Sequence, residues 1–385
     1  MTPGARVAAA IEILDDIADG RPAEQALTRW ARSSRFAGSK DRAAVRDHVF
    51  DALRHWNSDV VRGGGTTGRA RMIGRLRAAE QDADTLFHGQ GHAPAPLTAE
   101  ERASGTEPED TPDLWDLPAW LIDRWRDSLS GDAARTALAL TERAPVTLRV
   151  NTTKTDRETA QAALRGLGIE TIPNARADSA LTVTSGARQV RLSAPYLDGL
   201  VEIQDASSQA AVRALPGQGR ALDFCAGGGG KSLALAAQGW SVTAHDIDPR
   251  RMQDLPLRAE RGGHTIETCA PDAVADAGPF DLVLCDAPCS GSGTWRRTPD
   301  AKWALTPERL DELHKMQADV LETAHSLVAP SGTLAYATCS VLSSENASQI
   351  EAFLARHPDW VTTRAQSWTV DAEGDGFFLA CLTRA

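Results

Sequence analysis

RALDFCAGGGGKSLALAAQGWSVTAHD, residues 220–246, decides the fold. RALDFCA is a short apolar run stopped by four glycines, KSLALAAQG is built of helix formers, and WSVTAHD is a second apolar run ending on an acid. Strand, glycine turn, helix and strand in that order predict a βαβ unit with parallel strands. The alternation continues downstream. PRRMQDLPLRAERG is predicted helical despite Pro256, and FDLVLCD and GTLAYATC are two more strands of buried type. In the helix between those two strands, Leu310, Leu313, Gln317, Leu321, Ala324 and Val328 share one face, apolar except for Gln317. The expected fold over residues 201–385 is therefore α/β, a Rossmann-like doubly wound sheet. Ligands of such sheets bind at the carboxyl ends of the strands, where each motif below falls.

The whole chain has 385 residues, more than one hydrophobic core usually organises. Apolar residues make up 42% and charged residues 24%, as in ordinary globular protein. No run approaches the roughly 18 apolar residues of a membrane span. MTPGARVAAAIEILDDIADG carries acids where a signal peptide has an apolar core, so a cytoplasmic chain with no membrane partner is expected. Its six cysteines are then expected as thiols, not as a disulfide scaffold. Upstream of the α/β region, residues 1–81 predict a helical domain. Residues 82–113, rich in Gly, Pro, Ala and acids, predict a mobile linker. Residues 114–200 predict a small α+β domain that opens on LWDLPAWLIDRWRDSL, whose Trp115, Trp120 and Trp125 read as core.

The formal charge of −11 argues against an all-basic surface, but it is unevenly spread. Residues 1–80 sum to +4, residues 81–120 to −8 and the remaining 265 to −7. A local basic patch for nucleic acid is compatible with that distribution. Arg29, Arg32, Arg35, Lys40, Arg42 and Arg46 form such a cluster, either a solvated helix face or a phosphate contact.

CAGGGGKS (225–232) sits at the first strand-to-helix turn, where glycines let backbone amides approach a ligand. A phosphate loop needs glycine five residues before Gly230, and Cys225 stands there; the dinucleotide fingerprint is not met either. Asp246, 23 residues beyond Asp223, occupies the place of a ribose-binding carboxylate. Together these favour a nucleoside cofactor, and S-adenosylmethionine has the least strict loop requirement. DAPCSGSG (286–293) then delivers Asp286 and Cys289 from the end of one strand, and GTLAYATC delivers Cys339 from the end of another. Zinc is disfavoured because Cys285 lies inside its strand and no histidine offers ligand spacing. A disulfide is disfavoured by the reducing compartment. Two thiols, an acid and a methyl-donor cofactor suit methylation at carbon 5 of cytosine. A thiolate adding at carbon 6 makes carbon 5 nucleophilic, an acid at ring nitrogen 3 eases the addition, and a second thiol assists release. This chemistry leaves open which cysteine is the nucleophile.

VEIQDASSQAA, LDFCAGGGGKS, AHDIDPRRM, FDLVLCDAPCSGSGTWRRTPDAKW, YATCSVLSSEN and DGFFLACLTR occur in the order found in the Nol/Nop/Sun RNA (cytosine-5)-methyltransferases, and the chain resembles that family, its bacterial Sun/Fmu branch most. LPAWL and APVTLRVNTTKTDR extend the likeness back to about residue 117. The resemblance implies a class I S-adenosylmethionine-dependent methyltransferase domain behind an RNA-binding α+β domain and a shortened NusB-like helical domain. It implies cofactor contacts from Cys225, Ala226, Gly227, Gly228, Gly229, Gly230, Lys231, Asp246, Asp272 and Asp286. It makes Cys339 the nucleophile and Cys289 the residue needed for product release, with Asp286 beside them and no metal. Lys231 and Lys302 are implied near cofactor or RNA phosphate. The implied partner is RNA, 16S ribosomal RNA before transfer RNA, and a monomer is expected. Gly227 and Gly228 replace the family's Ala-Pro, which predicts a looser cofactor loop. That departure keeps a second class of function open, an RNA-binding assembly factor with weakened catalysis. A small-molecule methyltransferase leaves the first 200 residues and the second cysteine without a role.

Overall fold

The strand–helix alternation predicted from residue 220 onward is present in a computed structural model that describes all 385 residues. Strands β1 (Val146–Val150), β2 (Glu170–Pro173), β3 (Ala180–Ser185) and β4 (Val201–Ile203) form a small antiparallel sheet in the order β2-β3-β1-β4. Strands β5 (Arg220–Asp223), β6 (Ser241–His245), β7 (Ile266–Cys269), β8 (Phe280–Asp286), β9 (Val328–Thr338), β10 (Trp360–Trp368) and β11 (Phe377–Arg384) form the large sheet. Its order is β10-β11-β9-β8-β5-β6-β7. β5 through β9 run parallel, and β11 enters antiparallel between β9 and β10.

The chain leaves β5 toward β6 on one side and reaches β8 on the other, so β5 is the switch point where a doubly wound sheet opens a crevice. β8 and β9 are buried along most of their length, as expected for parallel strands covered on both faces. The helix Pro307–Ala324 is capped by Thr306, whose hydroxyl accepts from the Arg309 amide, and buries Leu310, Leu313, Gln317, Leu321 and Ala324. The predicted stripe thus forms, except that Val328 already begins β9. No helix is long and apolar enough to cross a membrane.

The chain divides into two compact units that differ from the expected domain ranges. One comprises Met1–Arg126, Ser130–Arg143 and Trp295–Ala304; the other comprises Asp127–Leu129, Ala144–Thr294 and Leu305–Ala385. β4, expected at the start of the large domain, pairs with β1 in the small sheet. In the first unit, helices Pro3–Ala18, Ala23–Ser33, Ser39–Arg54 and Gly68–Ala78 share one core around Val7, Leu14, Val49, Leu53, Met72 and Ile73.

The segment 82–113, expected as a mobile linker, instead packs on that core. Phe87 is 1% exposed, and Leu86 and Leu97 lie against the same cluster. Arg69 pairs with Glu101 at 2.6 Å, and Arg77 donates to the carbonyls of Arg62 and Ser104. Composition hid this, because a few apolar residues among many polar ones suffice when arginines satisfy the segment's carbonyls.

The basic cluster divides as well. Arg46 pairs with Glu24, Arg42 donates to the Ala37 carbonyl, and Arg29 lies 3.5 Å from Asp16. Arg32, Arg35 and Lys40 remain exposed.

Candidate active site

The sharp turn after β5 is made by glycines in conformations that side chains seldom adopt. Gly227 has φ +51° and Gly229 φ +78°. A Cβ at Gly229 would sit 2.2 Å from the Leu255 side chain, so any other residue there needs that leucine to shift as well as a backbone conformation that favours glycine. The Gly227 amide donates to Asp246 at 2.9 Å, and the Ala226 amide to the His245 carbonyl at 2.8 Å, tying the loop to the end of β6. Asp246 is fully buried; it also accepts from the Asp248 amide and pairs with Arg251 at 3.0 Å. The Arg251 side chain on that carboxylate is 58% exposed.

Of the other expected cofactor residues, Lys231 pairs with Asp286 at 2.5 Å. Burial pulls the Lys231 ammonium down, but Asp286 outweighs it and holds the lysine above its usual range. Cys225 is pushed up by burial and by the surrounding carboxylates, so it stays a thiol. Asp272 follows β7 on an exposed loop, one strand beyond Asp246 in the sheet. Lys302 belongs to the helical unit, 1% exposed, where burial lowers it to about 8 and its ammonium lies 3.5 Å from the Arg54 carbonyl.

Two residues were missed. Asp223, the last residue of β5, is fully buried; Ser232 donates to one carboxylate oxygen at 2.6 Å and the other has no partner. Burial raises its carboxyl to about 6. Its signal was in the sequence, an acid directly before the glycine loop. Ile247 is 80% exposed right after Asp246, an apolar surface at the end of β6. An orphaned buried carboxylate oxygen for an ammonium, a glycine cradle and an exposed apolar surface for a purine fit S-adenosylmethionine.

The Asp223 carboxyl titrates near 6, so it is neutral below that pH and a carboxylate above it. Cofactor affinity measured by calorimetry is expected to rise between pH 5 and 7. Asp223→Asn should flatten that rise and cost about 10-fold in affinity, the worth of a charge-assisted hydrogen bond.

At the ends of β8 and β9, Cys289 and Cys339 stand with their sulfurs 3.5 Å apart. The Cys289 thiol hydrogen-bonds Cys339 and lowers it; Lys231 and the Thr294 hydroxyl add to that, against burial and the charge of Asp286. The same hydrogen bond raises Cys289 far above its usual range, with burial and the nearby Glu345 acting in the same direction. The hydrogen bond between the two sulfurs thus favours ionisation at Cys339 and opposes it at Cys289, with Lys231 adding to the first effect and Glu345 to the second.

Glu345, fully buried, accepts from the Ser290 amide and hydroxyl, the Ser340 hydroxyl and the Gln317 amide, so one carboxylate ties down the residues that follow both cysteines. Asn346 accepts from Thr338 and donates to the Ser340 carbonyl. Gly293, whose Cβ would meet the Gly376 carbonyl at 2.5 Å, donates to the Cys339 carbonyl and closes the loop over β9.

Residues 212–382 match the model of the family described as 16S rRNA methyltransferase RsmB/F, and residues 117–190 match its ferredoxin-like domain. The chain is 35% identical over 284 residues to the ribosomal RNA small subunit methyltransferase B of Salmonella arizonae, covering 69% of this chain and 66% of that protein. The Klebsiella pneumoniae protein of the same name is 35% identical over 285 residues, with the same coverage. The alignments thus span just under two thirds of these relatives. Among solved structures, PH0851 shares the fold over 100% of this chain and 99% of its own, with a TM-score of 0.77 at 22% identity. A methyltransferase homolog from Pyrococcus horikoshii aligns over 72% of this chain and 100% of its own, with a TM-score of 0.60 at 25% identity. The large sheet is that of a class I S-adenosylmethionine-dependent methyltransferase, and residues 117–190 and 212–382 carry the domains of the 16S rRNA methyltransferase RsmB/F family.

Proposed function

We propose that the protein methylates carbon 5 of a cytosine in RNA, with small-subunit ribosomal RNA as its substrate. The observation that carries this reading is the pair of sulfurs 3.5 Å apart at the ends of two neighbouring strands, in the same unit as the Lys231–Asp286 pair. S-adenosylmethionine, when bound, supplies the methyl group.

The chain's own residues do the rest. The target base is turned out of its stack to reach the thiols. The Cys339 thiolate forms a bond to carbon 6, which moves electron density onto carbon 5. The Asp286 carboxylate accepts from the 4-amino group of the ring, with Lys231 fixing its orientation. After carbon 5 has been methylated, it loses its proton to water and the carbon 6–sulfur bond breaks. Cys289 donates a hydrogen bond to the departing sulfur, so Cys339 leaves as a thiolate. A plain methyl transfer to nitrogen or oxygen has no use for two thiols.

Bisulfite sequencing of total RNA with and without the gene tests the reading. Loss of protection at one small-subunit ribosomal cytosine is expected. Loss in a transfer RNA would keep the chemistry and replace the substrate. No change at any cytosine would overturn the reading in favour of an assembly factor.

A further inference from the structure

A second charged recess lies beside the glycine loop, a narrow cleft where the small sheet meets the helix Leu255–Gly262. Arg149 of β1, Glu202 of β4, and Arg258, Arg261 and His264 line it. All of them belong to one compact unit. Arg149 is 7% exposed; it donates to the Gly230 carbonyl at 3.2 Å, and its Nε has no partner. The Nε of Arg261 is buried and unpartnered as well. Glu202 is the one anion lining the cleft, 2.6 Å from Arg261 and 3.4 Å from Arg258.

Three guanidinium groups against one carboxylate leave the recess at about +2. Lys154, whose ammonium sits on the Asp198 and Arg261 carbonyls, adds to the positive field. Burial lowers His264, and the charges of Arg149 and Lys154 lower it further. Burying a guanidinium with an unmade hydrogen bond costs free energy. The chemistry that satisfies such a cleft is a compact anion with several acceptor oxygens.

We propose that this cleft binds a backbone phosphate of the RNA substrate, an anchor separate from the thiols. The source of the phosphate rests on the RNA reading given above; the anion site itself does not. An anchor here, contacting the Gly230 carbonyl through Arg149, fixes the strand relative to the cofactor loop, which is how phosphate contacts set register without reading sequence.

The test uses the full-length protein and inorganic phosphate first. The His264 ring signal, assigned with His264→Gln, is followed by NMR as phosphate replaces chloride at constant ionic strength. A saturable shift, with an upward move of the histidine's titration midpoint, is expected. It should weaken in Arg261→Gln and strengthen in Glu202→Gln, which removes the competing carboxylate. Equal responses to phosphate and chloride would overturn the site.

RNA binding is then measured against salt. Arg261→Gln should reduce the slope of log affinity on log salt by about 1, with cofactor affinity unchanged. A phosphate-specific shift with an unaltered slope would overturn the RNA assignment and leave a small-anion site. Wild-type protein that shifts with phosphate yet binds no RNA would instead overturn the RNA reading.

Discussion

Cys339→Ser is expected to lower methyl transfer by about 10⁴-fold or more, because a hydroxyl in that position is not ionised and carbon 5 of cytosine is not activated without the sulfur adduct. Cys289→Ser should behave differently. It leaves the nucleophile in place and removes the thiol that hydrogen-bonds the sulfur at 3.5 Å, so an RNA–protein adduct is expected to accumulate and survive denaturing electrophoresis. The two variants are compared in one assay, with tritiated cofactor for transfer and gel retardation for the adduct. A fully active Cys339→Ser enzyme would exchange or abolish the assignments.

The asymmetry of the pair supplies a second readout that needs no RNA. Cys339 is held below the usual thiol range and Cys289 far above it, so iodoacetamide is expected to label Cys339 first at pH 7–8. Lys231→Met removes a positive charge that favours the Cys339 thiolate. Labelling of Cys339 should then need a higher pH.

The large sheet was legible in the sequence because several signals agreed in one stretch: apolar runs of strand length, glycines at the turn and acids at strand ends. Gln317 shows how a broken pattern can be informative. It stood out as the single polar residue on an apolar helix face, and its amide donates to the Pro288 carbonyl and to Glu345, behind the thiols. A polar residue kept on a core face marks a buried network that needs it.

What stayed hidden involved partners far away in the chain. FDLVLCDAPCSGSGTWRRTPDAKW looks like one continuous motif, yet residues from Trp295 to Ala304 fold with the N-terminal helices. Trp295 stacks on Trp125 with ring centroids 5.9 Å apart, Trp303 donates to the Leu53 carbonyl, and Arg54 donates to the Arg296 carbonyl. Lys302 goes with that segment and is 1% exposed there. No local periodicity encodes such long-range packing. The same is true of Arg46, whose charge counts toward a basic cluster in the sequence and is neutralised by Glu24 in the fold.

Replacing Glu345 is expected to have the second largest effect, although this residue touches no sulfur. Its carboxylate gathers donors from Ser290, Ser340 and Gln317, and the Tyr336 hydroxyl donates to its backbone carbonyl at 2.7 Å. Glu345→Leu strands those side-chain donors in a buried site, and a stability loss of about 3 kcal/mol or more should appear as a lower Tm. That variant alone would confuse unfolding with lost catalysis. Glu345→Gln separates the two, since it keeps the shape and replaces an acceptor oxygen by an amide. Its expected cost is about 1–2 kcal/mol in stability and about 10²-fold in kcat, with cofactor affinity unchanged, because both cysteine loops lose their common anchor. The glutamate charge also raises Cys289. Its removal should lower that thiol, so Cys289 begins to compete with Cys339 for iodoacetamide at pH 8. A merely structural glutamate would alter the melting temperature and leave the labelling order as in the wild type. A Glu345→Gln protein with wild-type kcat and wild-type labelling order would show that the serine hydroxyls hold the thiols in place without it.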